Sequence, residues 1–210
     1  MEPETQTQQP NTADVMKQYA QLSDGAYGEG KDLSHLGYEI DPQHSNRNRT
    51  LYKHKDTGKA VLAFRGTELN TRNKMGDLGS DALLALGLHG LSSRFRNAKK
   101  ATAKALETYG KDNLVLTGHS LGGSQALYAN SKHGIETHAY NPGVSPSMVK
   151  KSLMDSLSAQ LFKRRPKRNA TIYTTGTDII SGLSPLFRKA KTVIVKGKKG
   201  HNPHALGNFL

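Results

Sequence analysis

Residues 114–132 read Leu114-Val115-Leu116-Thr117-Gly118-His119-Ser120-Leu121-Gly122-Gly123, then Ser124-Gln125-Ala126-Leu127-Tyr128-Ala129-Asn130-Ser131-Lys132. The first four residues make a short apolar run of strand type. The stretch from Ser124 is compatible with a helix, with no Pro or Gly to break it. Between them, Gly118-x-Ser120-x-Gly122 has the spacing of a strand-to-helix bend so tight that only small residues beside the serine let the backbones pass. Roughly one chain in six with this Gly and Ser content carries such a match by chance, so the pattern alone is weak. The strand before it and the helix after it supply the required context. A helix starting at this bend aims its N-terminus at Ser120, where it stabilises negative charge developing on a reacting group.

Working outward, the elements alternate. Leu51 to His54 and Lys59 to Phe64 flank Asp56-Thr57-Gly58, the composition of a hairpin turn. Ala98 to Tyr109 is rich in Ala and Lys, and Gly110 is placed to stop that helix. Thr137 to Tyr140, Ala170 to Thr174 and Thr192 to Val195 are strand-like, and Val149 to Phe162 brings Leu153, Leu157 and Leu161 to one helical face. Before all of these, Val15, Met16, Tyr19, Ala20 and Leu22 recur at helical spacing behind Thr12 or Asp14 as cap. This order predicts an α/β domain with a mostly parallel central sheet and helices on both faces. Met1 to Thr12 has little to bury and reads as a disordered tail, leaving residues 13–210 as one domain.

Composition narrows the chemistry. The 210 residues contain no cysteine, which excludes a thiol nucleophile, thiolate metal sites and a disulfide scaffold. No apolar run approaches the roughly 20 residues that span a bilayer, and Met1 to Asp14 lacks the basic and apolar regions of a secretory leader, so a cytoplasmic or virion-associated protein is expected. The net charge of +13 is uneven: the first 123 residues contribute +2 and the last 87 contribute +11. A field of that kind attracts polyanions, either nucleic-acid phosphates or an anionic membrane surface.

A serine at such a bend needs a base and an acid. In the chain order Ser, Asp or Glu, His, the only acids after Ser120 are Glu136, Asp155 and Asp178. Glu136 starts a strand, whereas sites in α/β sheets form at strand carboxyl ends, and Asp155 falls inside an amphipathic helix. Asp178 follows the strand Ala170 to Thr174 through Thr175-Gly176-Thr177 and is the preferred acid. Two of the nine histidines, His201 and His204, come after it. His204 is preferred, because Ala205, Leu206, Phe209 and Leu210 can anchor a terminal turn around it, while His201 lies in a Gly/Lys-rich segment. His119 points the wrong way from the bend to serve as the base and is expected to pack behind it. For the oxyanion, the amide of Leu121 and the N–H and hydroxyl of Thr67, at the end of Phe64-Arg65-Gly66-Thr67, are the candidate donors.

Ala63-Phe64-Arg65-Gly66-Thr67, Leu88-His89-Gly90 and Leu114 to Gly123 together resemble the class 3 (fungal lipase-like) family of α/β-hydrolases. The resemblance implies an oxyanion residue at Thr67, an Asp at Asp178 and a His at His204. It also implies hydrolysis of carboxylic esters in acylglycerols or phospholipids through an acyl-enzyme, with no metal or organic cofactor. It places a lid near Met75 to Leu91, a stretch that reads equally well as a buried core helix. Two other readings remain open. The same triad serves an acyltransferase, and Lys163 to Arg168 with Arg188 to Lys199 suits a nucleic-acid or anionic-membrane binding protein built on the same scaffold.

Overall fold

The structure is a computed structural model describing residues 11–28, 30–67, 78–143, 169–176, 190–202 and 204–210, with backbone only over 78–92. Helix α1 (Thr12–Gly25) is capped by Asn11, whose side-chain oxygen accepts from the Ala13 amide at 3.2 Å, in place of the Thr12 or Asp14 expected. Asp14 instead lies in the first turn, where its charge faces the positive end of the helix. Strands β1 (Tyr38–Asn46), β2 (Arg49–His54) and β3 (Ala60–Phe64) follow, then α2 (Leu78–Tyr109), β4 (Leu114–His119), α3 (Leu121–His133), β5 (Glu136–Tyr140), β6 (Ala170–Thr175) and β7 (Lys191–Val195). The expected helix Val149 to Phe162 lies outside the described residues.

Among the described residues, the seven strands form one sheet in sequence order. The β1–β2 and β2–β3 pairs are antiparallel, and β3 through β7 run parallel. β3 is buried at every position and apolar on both faces, as a strand covered by helices on both sides must be. Its Val61 and Ala63 join Val115, Tyr140 and Tyr173 under Tyr19, Ala20 and Leu22 of α1. On the opposite face Leu62, Phe64, Leu114 and Leu116 meet Ala98, Ala101 and Ala105 of α2 and Ala126 and Ala129 of α3. The alanine-lined contacts let both helices lie close to the sheet.

Parallel pairing also fixes where the chain can do chemistry. Phe64 stands beside Gly118, His119 beside Tyr140, and Tyr140 beside Tyr173. The loop after β3 and the bend after β4 therefore leave the sheet side by side at its carboxyl edge, where α/β folds build their sites.

Two elements differ from expectation. The helix expected over Ala98 to Tyr109 begins at Leu78, so its backbone is continuous through most of the stretch read as a lid or core helix; the side chains over 78–92, and residues 75–77, lie outside the described set. β1 was not legible at all. It carries Pro42 and mostly polar residues, and its pairing is irregular between Asp41 and Asn46, all features of an edge strand held by its neighbour.

What secures β1 is a polar clamp to the end of α2. Asp41 Oδ2 accepts from the Tyr109 hydroxyl at 2.6 Å and lies 2.6 Å from His44 Nδ1, and Oδ1 accepts from the Gln43 amide at 2.8 Å. His44 Nε2 lies 3.1 Å from Thr108 Oγ1. Burial raises the Asp41 pKa, but the phenol, the imidazole and the amide together outweigh it and hold the carboxyl below its ordinary value. A depressed folded-state pKa means that this stabilisation is complete above the unfolded value and is lost as pH falls through the folded one. Tyr109→Phe removes one bond to the carboxylate and is expected to cost about 2 kcal/mol at pH 7, a fall in Tm of roughly 4–8 °C. Thermal unfolding followed by circular dichroism at pH 7 and near pH 3 checks this. The gap between variant and parent should narrow in acid, and an equal gap at both values would refute the clamp.

Candidate active site

Ser120 sits at the bend between β4 and α3 with φ 56° and ψ −126°, a conformation that L side chains rarely adopt. Such a residue costs about 1–3 kcal/mol and persists only where its surroundings over-determine it. The surroundings do so here. The Ser120 amide donates to the Tyr140 carbonyl at 3.0 Å, and its own carbonyl accepts from Ser124 at 3.1 Å and from Gly143 at 3.2 Å. The glycine spacing has a steric origin: a Cβ on Gly118 would lie 2.5 Å from the Gly122 carbonyl carbon, and one on Gly122 would collide with the carbonyl oxygen of Phe64. Strand β4, helix α3 and the end of β3 thus meet backbone to backbone around the serine.

His204 reaches this serine from the far end of the chain. Its Nε2 lies 2.9 Å from Ser120 Oγ, and the residue is 9% exposed. The turn that carries it is built from asparagines. Asn202 Oδ1 accepts from the His204 amide at 2.9 Å, and Asn208 Nδ2 donates to the Asn202 carbonyl at 2.8 Å and the Ala205 carbonyl at 2.9 Å. Leu206 and Phe209 anchor the segment in the same core as Tyr140. His201 is exposed on a turn closed by its amide to the Lys198 carbonyl at 3.1 Å.

The other expected residues divide. Gly66 is buried and Thr67 half-buried beside the bend, since a Cβ on Gly66 would stand 2.8 Å from the His119 carbonyl oxygen. Leu121 is the first residue of α3, where helix geometry leaves the backbone amides without intrahelical acceptors. Asp178 and Asp155 lie outside the described residues. Glu136, at the amino end of β5, is committed elsewhere: its carboxylate lies 2.9 Å from His138 Nε2, and that contact holds its pKa below the ordinary carboxylate value. Among the described residues, no group of three His, Cys, Asp or Glu side chains is gathered as a metal site would require. Of the basic segments, residues 163–168 are outside the described set, whereas Lys191, Lys196, Lys198 and Lys199 are exposed on and after β7 around Ile194, itself 72% exposed.

Sequence reasoning missed Tyr27, which follows α1. Its hydroxyl lies 3.0 Å from His119 Nδ1, and His119 Nε2 lies 2.8 Å from the His204 carbonyl oxygen. Contacts across 92 and 85 residues leave no local trace in a sequence.

A mostly parallel sheet with helices on both faces, and a serine on a positive-φ bend at its carboxyl edge, is the arrangement of an α/β-hydrolase. The chain belongs to the Tle-like phospholipase domain family, a phospholipase-like family that it matches over residues 13–206. At that general level it is a lipid-ester hydrolase. Among solved structures it is similar to lipase II from Rhizopus niveus, with a TM-score of 0.43, 14% identity, and coverage of 83% of this chain and 77% of that one. No curated protein matches it. Among the described residues, no helix is long and apolar enough to cross a membrane.

Proposed function

We propose that the protein hydrolyses carboxylic esters of phospholipids or acylglycerols, with Ser120 as nucleophile, His204 as general base and acid, and Asp178 orienting the imidazole. The observation that carries this reading is the 2.9 Å approach of His204 Nε2 to Ser120 Oγ, at a serine held in a strained conformation. The hydroxyl proton passes to Nε2 as Oγ attacks the ester carbonyl. The resulting oxyanion takes up the Leu121 amide and the Thr67 donors, and the alcohol leaves with the proton that His204 returns. An acyl group is then on Ser120, and water, activated by the same imidazole, releases it as the acid. Ester and water balance the cycle, so it calls on no metal or organic cofactor.

Incubation with a fluorophosphonate probe, followed by peptide mapping, tests the nucleophile directly. The expected adduct is on the peptide containing Ser120, in a stoichiometry approaching one per chain. Labelling at another serine, or none at all, overturns the proposal.

A further inference from the structure

The proton directions in the Tyr27–His119 contacts are fixed by chemistry. A carbonyl oxygen only accepts, so His119 Nε2, at 2.8 Å from the His204 carbonyl, carries a proton and donates it. In the neutral ring Nδ1 is then the acceptor, and the Tyr27 hydroxyl at 3.0 Å is its donor. The Tyr27 oxygen in turn packs against the Gly66 backbone. Burial, which outweighs the nearby Gly66 backbone and the Arg94 and Arg65 charges, raises the phenol's pKa well above its ordinary value and keeps it a donor.

This chain of contacts joins three parts of the proposed site. Gly66 opens the oxyanion loop, His119 precedes the nucleophile, and His204 is the base. The contact at Gly66 is close enough that a Cβ there would collide with the Tyr27 hydroxyl. The His119 and His204 rings lie 5.1 Å apart between centroids and tilted by 44°, so His119 backs the base as well as bonding to its carbonyl. His204 itself sits in a turn between β7 and the terminal 3-10 turn Leu206–Asn208, with no ladder of its own to hold it.

We infer that Tyr27 and His119 are positioning residues of this hydrolase: Tyr27, packed on Gly66 and bonded to His119, and His119, bonded to the His204 carbonyl, set the oxyanion loop, the nucleophile and the base in register. The inference rests on the roles proposed above for Ser120 and His204. Tyr27 and His119 act through what they hold, the Gly66 backbone, the His204 carbonyl and the His204 ring, which is why the effect falls on the chemical step rather than on substrate affinity.

The test measures p-nitrophenyl butyrate hydrolysis, with active sites counted by fluorophosphonate titration so that misfolded protein is excluded from kcat. Tyr27→Phe keeps the ring and loses the hydroxyl's bond to His119 and its contact with Gly66. It is expected to lower kcat per titrated site by about 10- to 100-fold, the penalty of a misplaced catalytic group, with KM within twofold. His119→Phe, which fills the space without a donor, should fall as far. His119→Gln restores an N–H at the reach of Nε2 and should recover to within about threefold of the parent. Combining Tyr27→Phe with His119→Phe should cost little more than the worse single change, because the two belong to one path.

A kcat per site within twofold of the parent for Tyr27→Phe overturns the inference, as does a His119→Gln variant no better than His119→Phe. A loss confined to Tm or to the number of titratable sites also overturns it, since that is what simple packing gives. If His119→Phe does not fold, Tyr27→Phe and His119→Gln decide the matter between them. The two proposals fail differently: a parent enzyme that takes no label sinks the serine-hydrolase reading and this one with it, whereas a labelled parent with unaffected variants sinks only the positioning roles.

Discussion

Ser120→Ala lowers p-nitrophenyl ester turnover by at least about 10⁴-fold while leaving the thermal unfolding midpoint within a degree or two of the parent. The size follows from the role: loss of the nucleophile in a serine hydrolase leaves only the oxyanion donors and substrate binding to assist water. The unchanged stability follows from the backbone, because alanine at φ 56° and ψ −126° meets the same steric conflict that serine does. Ser120→Gly separates the two effects. Glycine occupies that conformation without a Cβ, which recovers part of the roughly 1–3 kcal/mol stored at the bend; its freer unfolded chain takes some of that back. The expected outcome is a variant as inactive as Ser120→Ala and more stable by about 1 kcal/mol, or roughly 2–4 °C in Tm. Steady-state kinetics and a melting curve on each purified variant are sufficient. Turnover above a tenth of the parent in Ser120→Ala would remove Ser120 from the chemistry, and a Ser120→Gly variant melting below Ser120→Ala would deny that the bend is strained.

How far the site could be read in advance depended on whether its determinants were local. β3 and β4 announce themselves as continuous apolar runs because both faces are covered, and the glycines of 118–123 are visible because backbone-on-backbone contact tolerates nothing larger. The hairpin turn at Asp56-Thr57-Gly58 is likewise written in residue types. β1 is a different case. Its sequence contains Pro42, and every position between Tyr38 and His44 is exposed or half-exposed, so what makes it a strand is the ladder to β2 and the Asp41–Tyr109 clamp. The early start of α2 was hidden by Gly79, Gly87 and Gly90, whose poor helix propensity is overridden along the backbone. Tyr27 is the extreme: one tyrosine in a loop, which meets Gly66 and His119 only when α1 packs on the sheet. Motifs recorded the parts of the site that steric contact constrains, while the bonds that align those parts are tertiary and silent.

The partners of Ser120 are decided by a paired series of substitutions in which each proposed residue has a nearby control. His204→Ala should lower kcat/KM by at least about 10³-fold, because it removes the imidazole that stands 2.9 Å from Oγ to take its proton. His201→Ala should stay within twofold, its ring being exposed on the Lys198–His201 turn. Among the acids, Glu136 is bound to His138 at the opposite end of its strand from the bend, which leaves Asp155 and Asp178. Asp178→Asn should cost about 10²- to 10⁴-fold, since an amide neither stabilises the imidazolium nor enforces the tautomer with its lone pair toward the hydroxyl; Asp155→Asn should be neutral. The measurement is kcat/KM on a p-nitrophenyl ester together with the fluorophosphonate labelling rate, which reports the same activated hydroxyl without requiring turnover. A large loss in Asp155→Asn with a neutral Asp178→Asn would move the acid onto the other segment and keep the mechanism. Losses below twofold in both would leave a Ser–His pair that works without either carboxylate, and the bond from His119 to the His204 carbonyl would then count, with the Asn202 and Asn208 turn, among the restraints on the base.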